Sequence, residues 1–478
     1  MGAPKRRRFE PIDAGWGPNR MFDFLTAAIA FLVVGGMLWG VYRRNDTFHP
    51  LVYLLPMAGY LYVFVPSFLA EGELLRHFTG AEVARVQALN LAGVLALIMG
   101  VVVGGRGLRR DPNRRDVFSA TLTPVVQARL RRVAVAIGLV GVGLFVYGLF
   151  NVGGFVAAFD SPKGGGWAAT GWLRDLKLLV IPGILLLYLS RRGRGWTPAD
   201  WGWLVLFSLP LLARSLLATS RGWTFMAAAA LGAGWYLAHN RRPRFPTLLA
   251  GGAALGILML TLVAFRGQIY IGSGFFSGDR PPLTEMVDRA LEFPTGGGYG
   301  NEFIYGNYTV LLAQEEQDFY WGRRVFAYTV VRPIPSLVWP NKYADVGAAG
   351  IRYNAGTMGK EYSAPVYEHI PNGMAPGIVA DLFVEFSWGA VPAVFLFGWL
   401  YGVGWRRHLV EGGPWTVVYL ALMAFSVFAV LQNIPQAFVA RFLIVVVPTL
   451  LLWWRMVPGR QGRAALLRRR SAALSAGG

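Results

Sequence analysis

The sequence contains no cysteine. That excludes disulfides, iron–sulfur clusters, thiolate nucleophiles and cysteine-ligated zinc, so any folded segment outside a membrane must be held by packing. Charge is also scarce, at 15% of residues, where a soluble globular chain carries about a quarter. Acidic residues are the rarer sign, 26 Asp and Glu against 46 Lys and Arg, for a net charge of +20. Histidine is nearly absent too, with five in 478 residues. A transition-metal site is therefore not expected, although a divalent ion on oxygen ligands stays open. No organic cofactor is called for. Apolar residues are what the chain has in excess, 54% of the total, in runs of roughly 17–25, enough to cross a hydrocarbon core of about 30 Å as a helix. The basic surplus does not point to nucleic acid, because the basic residues sit in short clusters between apolar runs, as cytoplasmic loops do under the positive-inside rule.

These runs predict an all-α fold, a polytopic transmembrane helix bundle of about 11–12 spans with one large, partly helical extracytoplasmic loop. Eleven segments are read, near 23–42, 50–69, 88–105, 133–150, 176–190, 201–219, 222–239, 246–265, 387–405, 415–432 and 437–454. The first lacks a small-residue cleavage site and reads as a true span rather than a signal peptide. The connectors at Arg43–Arg44, Arg106–Arg115, Arg191–Arg194, Arg241–Arg244 and Arg406–Arg407 and the tail from Arg455 are all basic. Placing them together in the cytoplasm puts 266–376 outside. One cluster, Lys5–Arg8, dissents, since an odd span count with an inner C-terminus leaves the N-terminus outside. The organisation expected is a membrane domain over 1–265, an outer loop over 266–376, C-terminal spans with an outer-surface helix over 377–457, and a basic cytoplasmic tail over 458–478. The outer loop holds 10 of the 19 tyrosines. It is expected to carry a turn at Gly296–Gly300 rather than a phosphate-binding loop, because no Gly-Lys-Ser/Thr follows. Short helices are expected at 283–293 and 376–386.

Three constellations carry chemistry. Arg214 lies inside an apolar run, where a charge costs about 2.5–3.5 kcal/mol and is by default functional. Arg221 follows seven residues later, which on a continuous helix puts both guanidinium groups on one face about 10 Å apart. With Arg266, these arginines converge at the outer surface with no acidic residue in their own segments. Guanidinium forks match phosphate oxygens, although snorkelling to headgroups also accounts for them. The second constellation is Glu368-His369, then Asp381 and Glu385. An imidazole titrates near neutrality, as a general base should. The carboxylates, four apart, share a helix face and would hold a proton, a cation or a hydroxyl-rich ligand, or simply be solvated. Third are the aromatic residues of the loop, among them Tyr305, Tyr308 and Trp339, whose faces suit sugar rings, membrane interfaces and ordinary packing alike.

Four stretches, in this order, resemble the oligosaccharide repeat-unit polymerases (O-antigen polymerases, Wzy-type). They are Thr219-Ser220-Arg221-Gly222 opening a span, Tyr305-Gly306-Asn307-Tyr308, the run Arg332-Pro-Ile-Pro-Ser-Leu-Val-Trp-Pro-Asn-Lys342, and Ile378 to Gly389 with Asp381 and Glu385. The family more often has Glu at the place of Asp381 and Asn at that of Glu385. The resemblance implies a bacterial inner-membrane glycosyltransferase without nucleotide sugar or other cofactor. It would move a growing chain from undecaprenyl diphosphate onto a new lipid-linked repeat unit. Arg214, Arg221, Arg266, Lys342 and Arg352 would meet the diphosphate, and His369 or Asp381 would take the proton. Tyr305, Tyr308, Trp339 and Glu385 would line the sugar. Partners would be the undecaprenyl-diphosphate-linked oligosaccharide, membrane lipids and a chain-length regulator, with no nucleic acid. A ligase that moves finished glycan to an acceptor is the nearer alternative. A flippase of lipid-linked oligosaccharide is the alternative from another class, although paired halves and broken helices around a midplane site are not evident.

Overall fold

All eleven apolar runs are helical in the computed structural model, which describes residues 18–69, 74, 78–111, 116–160, 173–218, 220–265, 270–271, 282, 284–285, 288, 301–317, 319–335, 337–346, 375–432 and 434–456. Helix α1 is Pro18–Leu38, continued by a π turn at Trp39–Arg43; α2 is Pro50–Phe68, with a π turn at Tyr60–Phe64; α3 is Gly80–Gly104 and α4 is Pro124–Val152. Helices α5 (Lys177–Ser190), α6 (Pro198–Leu216) and α7 (Arg221–Ala228, extended by Ala229–Ala233 and Gly234–Ala238) follow, then α8 (Phe245–Ala264). Two shorter helices come from the long polar segment, α9 (Asn301–Glu316) and α10 (Arg323–Phe326, with a π turn at Ala327–Val331). The chain closes with α11 (Gly377–Phe386), α12 (Ala390–Val410), α13 (Pro414–Leu431) and α14 (Arg441–Met456, preceded by a π turn at Ile434–Ala440). Eight stretches, Arg20–Arg43, Pro50–Phe68, Gly80–Gly104, Pro124–Val152, Phe245–Leu262, Gly377–Val410, Pro414–Leu431 and Ala437–Met456, are long and apolar enough to cross a membrane. By length and composition the chain is a multi-pass membrane protein. Among the described residues there is no strand.

The helix starts are written locally. Thr79 accepts from the Glu82 amide while Glu82 accepts from the Thr79 amide at 2.8 Å, a capping box that satisfies two otherwise orphaned donors. Thr123 caps α4 ahead of Pro124, where proline's missing N–H costs nothing. Helix α13 is the hub, buried continuously from Thr416 to Val430. Helix α8 sits on the flank, almost wholly exposed. The closest pairing is α3 with α12. Gly100 and Gly104 meet Gly398 and Gly402 so closely that a Cβ on Gly100 would stand 2.8 Å from the Trp399 nitrogen, and one on Gly402 2.8 Å from the Gly105 nitrogen. Small residues four apart are what let membrane helices touch backbone to backbone.

The two ends of the bundle differ in chemistry. At one end the basic connectors interlock. Arg44 donates to the Leu108 carbonyl at 2.5 Å and Arg110 to that of Asn240 at 3.0 Å. Asp46 accepts from Arg242 at 2.5 Å and from the Trp405 indole at 2.9 Å, Asp116 holds Arg192 at 2.9 Å, and Asp200 holds both Arg131 and Arg191. Burial alone would raise the Asp46 carboxyl, but Arg242, Trp405 and the Phe48 amide hold it down at about 2. The neighbouring His49 is pulled down to about 3 by burial, against the opposing field of Asp46. Helix α1 begins at the opposite end, as do α7, α11 and α14.

Two local expectations are corrected. Helix α6 stops at Leu216 and α7 starts at Arg221, so Arg214 and Arg221 do not share one helix. They are neighbours because the chain reverses, pinned by Ser215 Oγ and Thr224 Oγ1 at 2.7 Å. The helix at 376–386 exists but is not a surface helix. Gly377 to Glu385 are all buried, because α9, α12, α13 and the π turn before α14 pack around it. The helix expected at 283–293 and the glycine turn at Gly296–Gly300 fall largely or wholly outside the described residues.

Candidate functional site

The end away from the basic connectors gathers most of the remaining charge, in two groups. The first centres on Arg324, buried at the start of α10. Its Nε donates to Glu385 Oε2 at 2.6 Å, Nη1 to Asp381 Oδ1 at 2.9 Å and Nη2 to the Asp381 carbonyl at 2.8 Å. Asp381 Oδ2 accepts from the Ile434 amide at 2.9 Å. Burial works against a charged guanidinium, yet Asp381 and then Glu385 raise the Arg324 pKa above its ordinary value. The acidic pair is therefore not a solvated face. It is the clamp that ties a segment of the polar region to α11 and α14, and its four-residue spacing is what lets one guanidinium bridge both carboxylates. Both Asp381 oxygens are committed, unlike the free carboxylate a proton acceptor would offer, whereas Glu385 spends Oε2 on Arg324 and keeps Oε1 buried without a hydrogen-bond partner among the described residues. Backbone strain concentrates here, with positive φ at Gln317, Trp321 and Ser387 (52°, 49° and 53°).

The second group is cationic. Asp175 shares its carboxylate between Arg332 Nη2 at 3.4 Å and Arg441 Nε at 3.5 Å. The Nη1 of Arg332 is buried without a hydrogen-bond partner among the described residues. Lys342 Nζ donates to the carbonyls of Arg332 (3.3 Å) and Ile334, and burial, then Arg332, holds its pKa below the usual lysine value. Lys177 and Arg214 flank the Trp223 ring at 5.1 and 5.5 Å, and Arg441 lies over Phe428 at 4.4 Å. Phe428 also closes on Gly222, the residue after Arg221. Arg221 itself is held by Glu302 at 2.5 Å and by the Tyr60 hydroxyl at 3.5 Å. Among the described residues, Lys177, Arg214, Arg221, Arg332, Lys342 and Arg441 thus gather at this end, with Asp175 pairing Arg332 and Arg441 and Glu302 pairing Arg221. Guanidinium and ammonium groups gathered this closely offer charge-assisted hydrogen bonds that suit a multiply charged anion.

The predicted residues are thereby sorted. Arg214, Arg221 and Lys342 belong to the cationic group. Tyr305 is buried among Phe78, Phe303 and Ile304, out of reach of a sugar ring, and Tyr308 packs its ring 4.6 Å from Phe78. Trp339 donates to Asp345 at 2.5 Å on an exposed turn. Arg266, Arg352 and His369 lie outside the described residues. Sequence reading missed Lys177, Arg324 and Arg441, and with them Asp175 and Glu302. Arg441 and Lys177 were detectable, because each stands inside or at the edge of an apolar run, as Arg214 does. Arg324 carried no such signal, since its partners are 57 and 61 residues away.

No family model matches this sequence, and no curated protein and no solved structure is significantly similar to it.

Proposed function

We propose that this chain is a membrane glycosyltransferase that polymerises undecaprenyl-diphosphate-linked oligosaccharide repeat units into surface polysaccharide, at the outer face of the bacterial inner membrane. The observation that carries the reading is the gathering of Lys177, Arg214, Arg221, Arg332, Lys342 and Arg441, among the described residues, at the end of the bundle away from the basic connectors. A diphosphate ester is a lipid-borne group that guanidinium forks fit, and guanidinium groups already in place need no reorganisation as charge develops on it. In this reading a hydroxyl of the incoming repeat unit attacks the anomeric carbon of the growing chain. The carbon–oxygen bond to the diphosphate breaks, and the diphosphate leaves with the electron pair into the field of Arg441, Arg332, Lys177 and Arg214. His369 takes the hydroxyl proton, and Arg266 and Arg352 add to the cationic set. Asp381 is a poor second choice of base with both oxygens engaged.

Surface polysaccharide resolved by chain length tests this in a deletion strain complemented with the parent chain or with Arg441→Gln, Arg266→Ala or His369→Ala. The expected result is single repeat units on their final carrier for the deletion and each variant, and a ladder for the parent. Long polymer accumulating on undecaprenyl diphosphate in the deletion would make the chain a ligase instead. Repeat units trapped on the cytoplasmic leaflet would make it a flippase.

A further inference from the structure

Arg221 is partly open, its side chain 30% exposed. Its partner Glu302 stands in the first turn of α9, where unpaired amides favour an anion. The Glu302 carboxylate thus fills a position that would satisfy any anion, with a guanidinium and the Tyr60 hydroxyl on one side and a helix N-terminus on the other. Beside it, α1, α2 and the start of α3 enclose a cavity of about 420 Å³, walled mainly by Phe22, Ala27, Ala30, Val63, Pro66 and Leu69. Two of its lining residues lie next to the elements that carry the ion pair. Phe22 meets Phe303, the neighbour of Glu302, with ring centroids 6.2 Å apart, and Val63 is one helical turn from Tyr60. Asp23, on an exposed stretch of α1, is the one charged residue among the described residues lining it. The hydroxyls of Thr26 and Ser67 turn back to the carbonyls of Phe22 and Val63, so the wall offers little else polar. Along α1, Phe24, Phe31 and Val34 are exposed, which in a bilayer opens the groove to lipid.

We infer that this groove and the Arg221–Glu302 pair form the entry site for a lipid diphosphate, with the hydrocarbon chain in the groove and the phosphate on Arg221 in place of Glu302. The inference rests on the diphosphate reading above and adds where the lipid enters and what it displaces. Carboxylate and phosphate compete for the same guanidinium geometry, so Glu302 acts as a resident competitor and a filter against weaker anions.

Calorimetry on the full chain in phosphatidylcholine nanodiscs, with empty discs subtracted, tests it with inorganic diphosphate, farnesyl diphosphate and farnesol. Farnesyl diphosphate should bind the parent chain roughly tenfold tighter than inorganic diphosphate, a difference of about 1.4 kcal/mol. Glu302→Gln should tighten both diphosphates several-fold. Ala30→Trp, which fills the groove, should erase the preference for the farnesyl chain while keeping inorganic diphosphate binding, itself evidence that the variant is folded. A farnesyl preference that survives Ala30→Trp, no tightening in Glu302→Gln, or farnesol binding as tightly as farnesyl diphosphate (a slot for any acyl chain) would each overturn the inference. Those results leave the function intact if inorganic diphosphate binds the parent and is lost in Arg441→Gln. If inorganic diphosphate binds neither the parent nor Glu302→Gln, both fall together.

Discussion

A methyl group added at Gly402 probes the core of the bundle. The new Cβ of Gly402→Ala would fall on the Val101 carbonyl oxygen, 2.8 Å from the Gly105 nitrogen and 3.0 Å from the Gly104 carbonyl carbon. All three are backbone atoms of α3 or of the Gly105 that caps it, so no flexible side chain can give way and the two helices must move apart by about 1 Å. A gap of that size forfeits a quarter to a half of each dispersion contact of about 0.1–0.2 kcal/mol. Over roughly forty contacts at the crossing the loss is about 2 kcal/mol, within the usual range for overpacking. Alanine returns roughly 0.8 kcal/mol of helix propensity, leaving a net loss of about 1 kcal/mol or a little more. Gly251→Ala in α8 is the matched control, since nothing lies within 4 Å of its new methyl and only the propensity gain remains. Thermal unfolding in detergent, followed by the fraction that stays monodisperse, should place Gly402→Ala several degrees below the parent and Gly251→Ala at or above it. Equal midpoints for the two variants would refute backbone-to-backbone packing of α3 on α12.

The Arg324 clamp predicts strong non-additivity. Arg324→Gln should cost about 3–5 kcal/mol by stranding two buried carboxylates, and adding Asp381→Asn and Glu385→Gln should recover most of it in the same assay. Recovery by neither addition would mean that the three do not act as a unit. Acid should weaken the opposite end in two stages. His49 titrates near 3 when folded against 6.5 ordinarily, so its contribution is complete above about pH 6.5 and is lost as pH falls toward 3, at up to about 1.4 kcal/mol per pH unit. The Asp46 contribution, from a pKa lowered to about 2, is lost only below about pH 4. The stability of His49→Phe should therefore fall less steeply between pH 6.5 and 4 than that of the parent. Identical slopes would show that His49 is not buried in its neutral form.

Membrane character was legible from the residues alone. Apolar runs of spanning length leave the backbone no other way to satisfy its polar groups in hydrocarbon, so all eleven runs became helices near their expected places. The caps Thr79 and Thr123 start α3 at Gly80 and α4 at Pro124, ahead of the apolar runs read from 88 and 133, and the basic connectors foretold which loops would meet at one end. Intramembrane charge at Arg214 and Arg221 was also visible, because a costly residue in an apolar run announces itself. What the tertiary structure alone decided is which charges meet. Glu302 reaches Arg221 across 81 residues and Asp46 reaches Arg242 across 196, separations over which no periodicity carries information. Asp381 and Glu385 read in sequence as a ligand-holding pair or a solvated face alike, and only the fold sets Arg324 between them. Burial of a charge depends on what the fold places over it, and that is a property of packing rather than of any segment's own sequence.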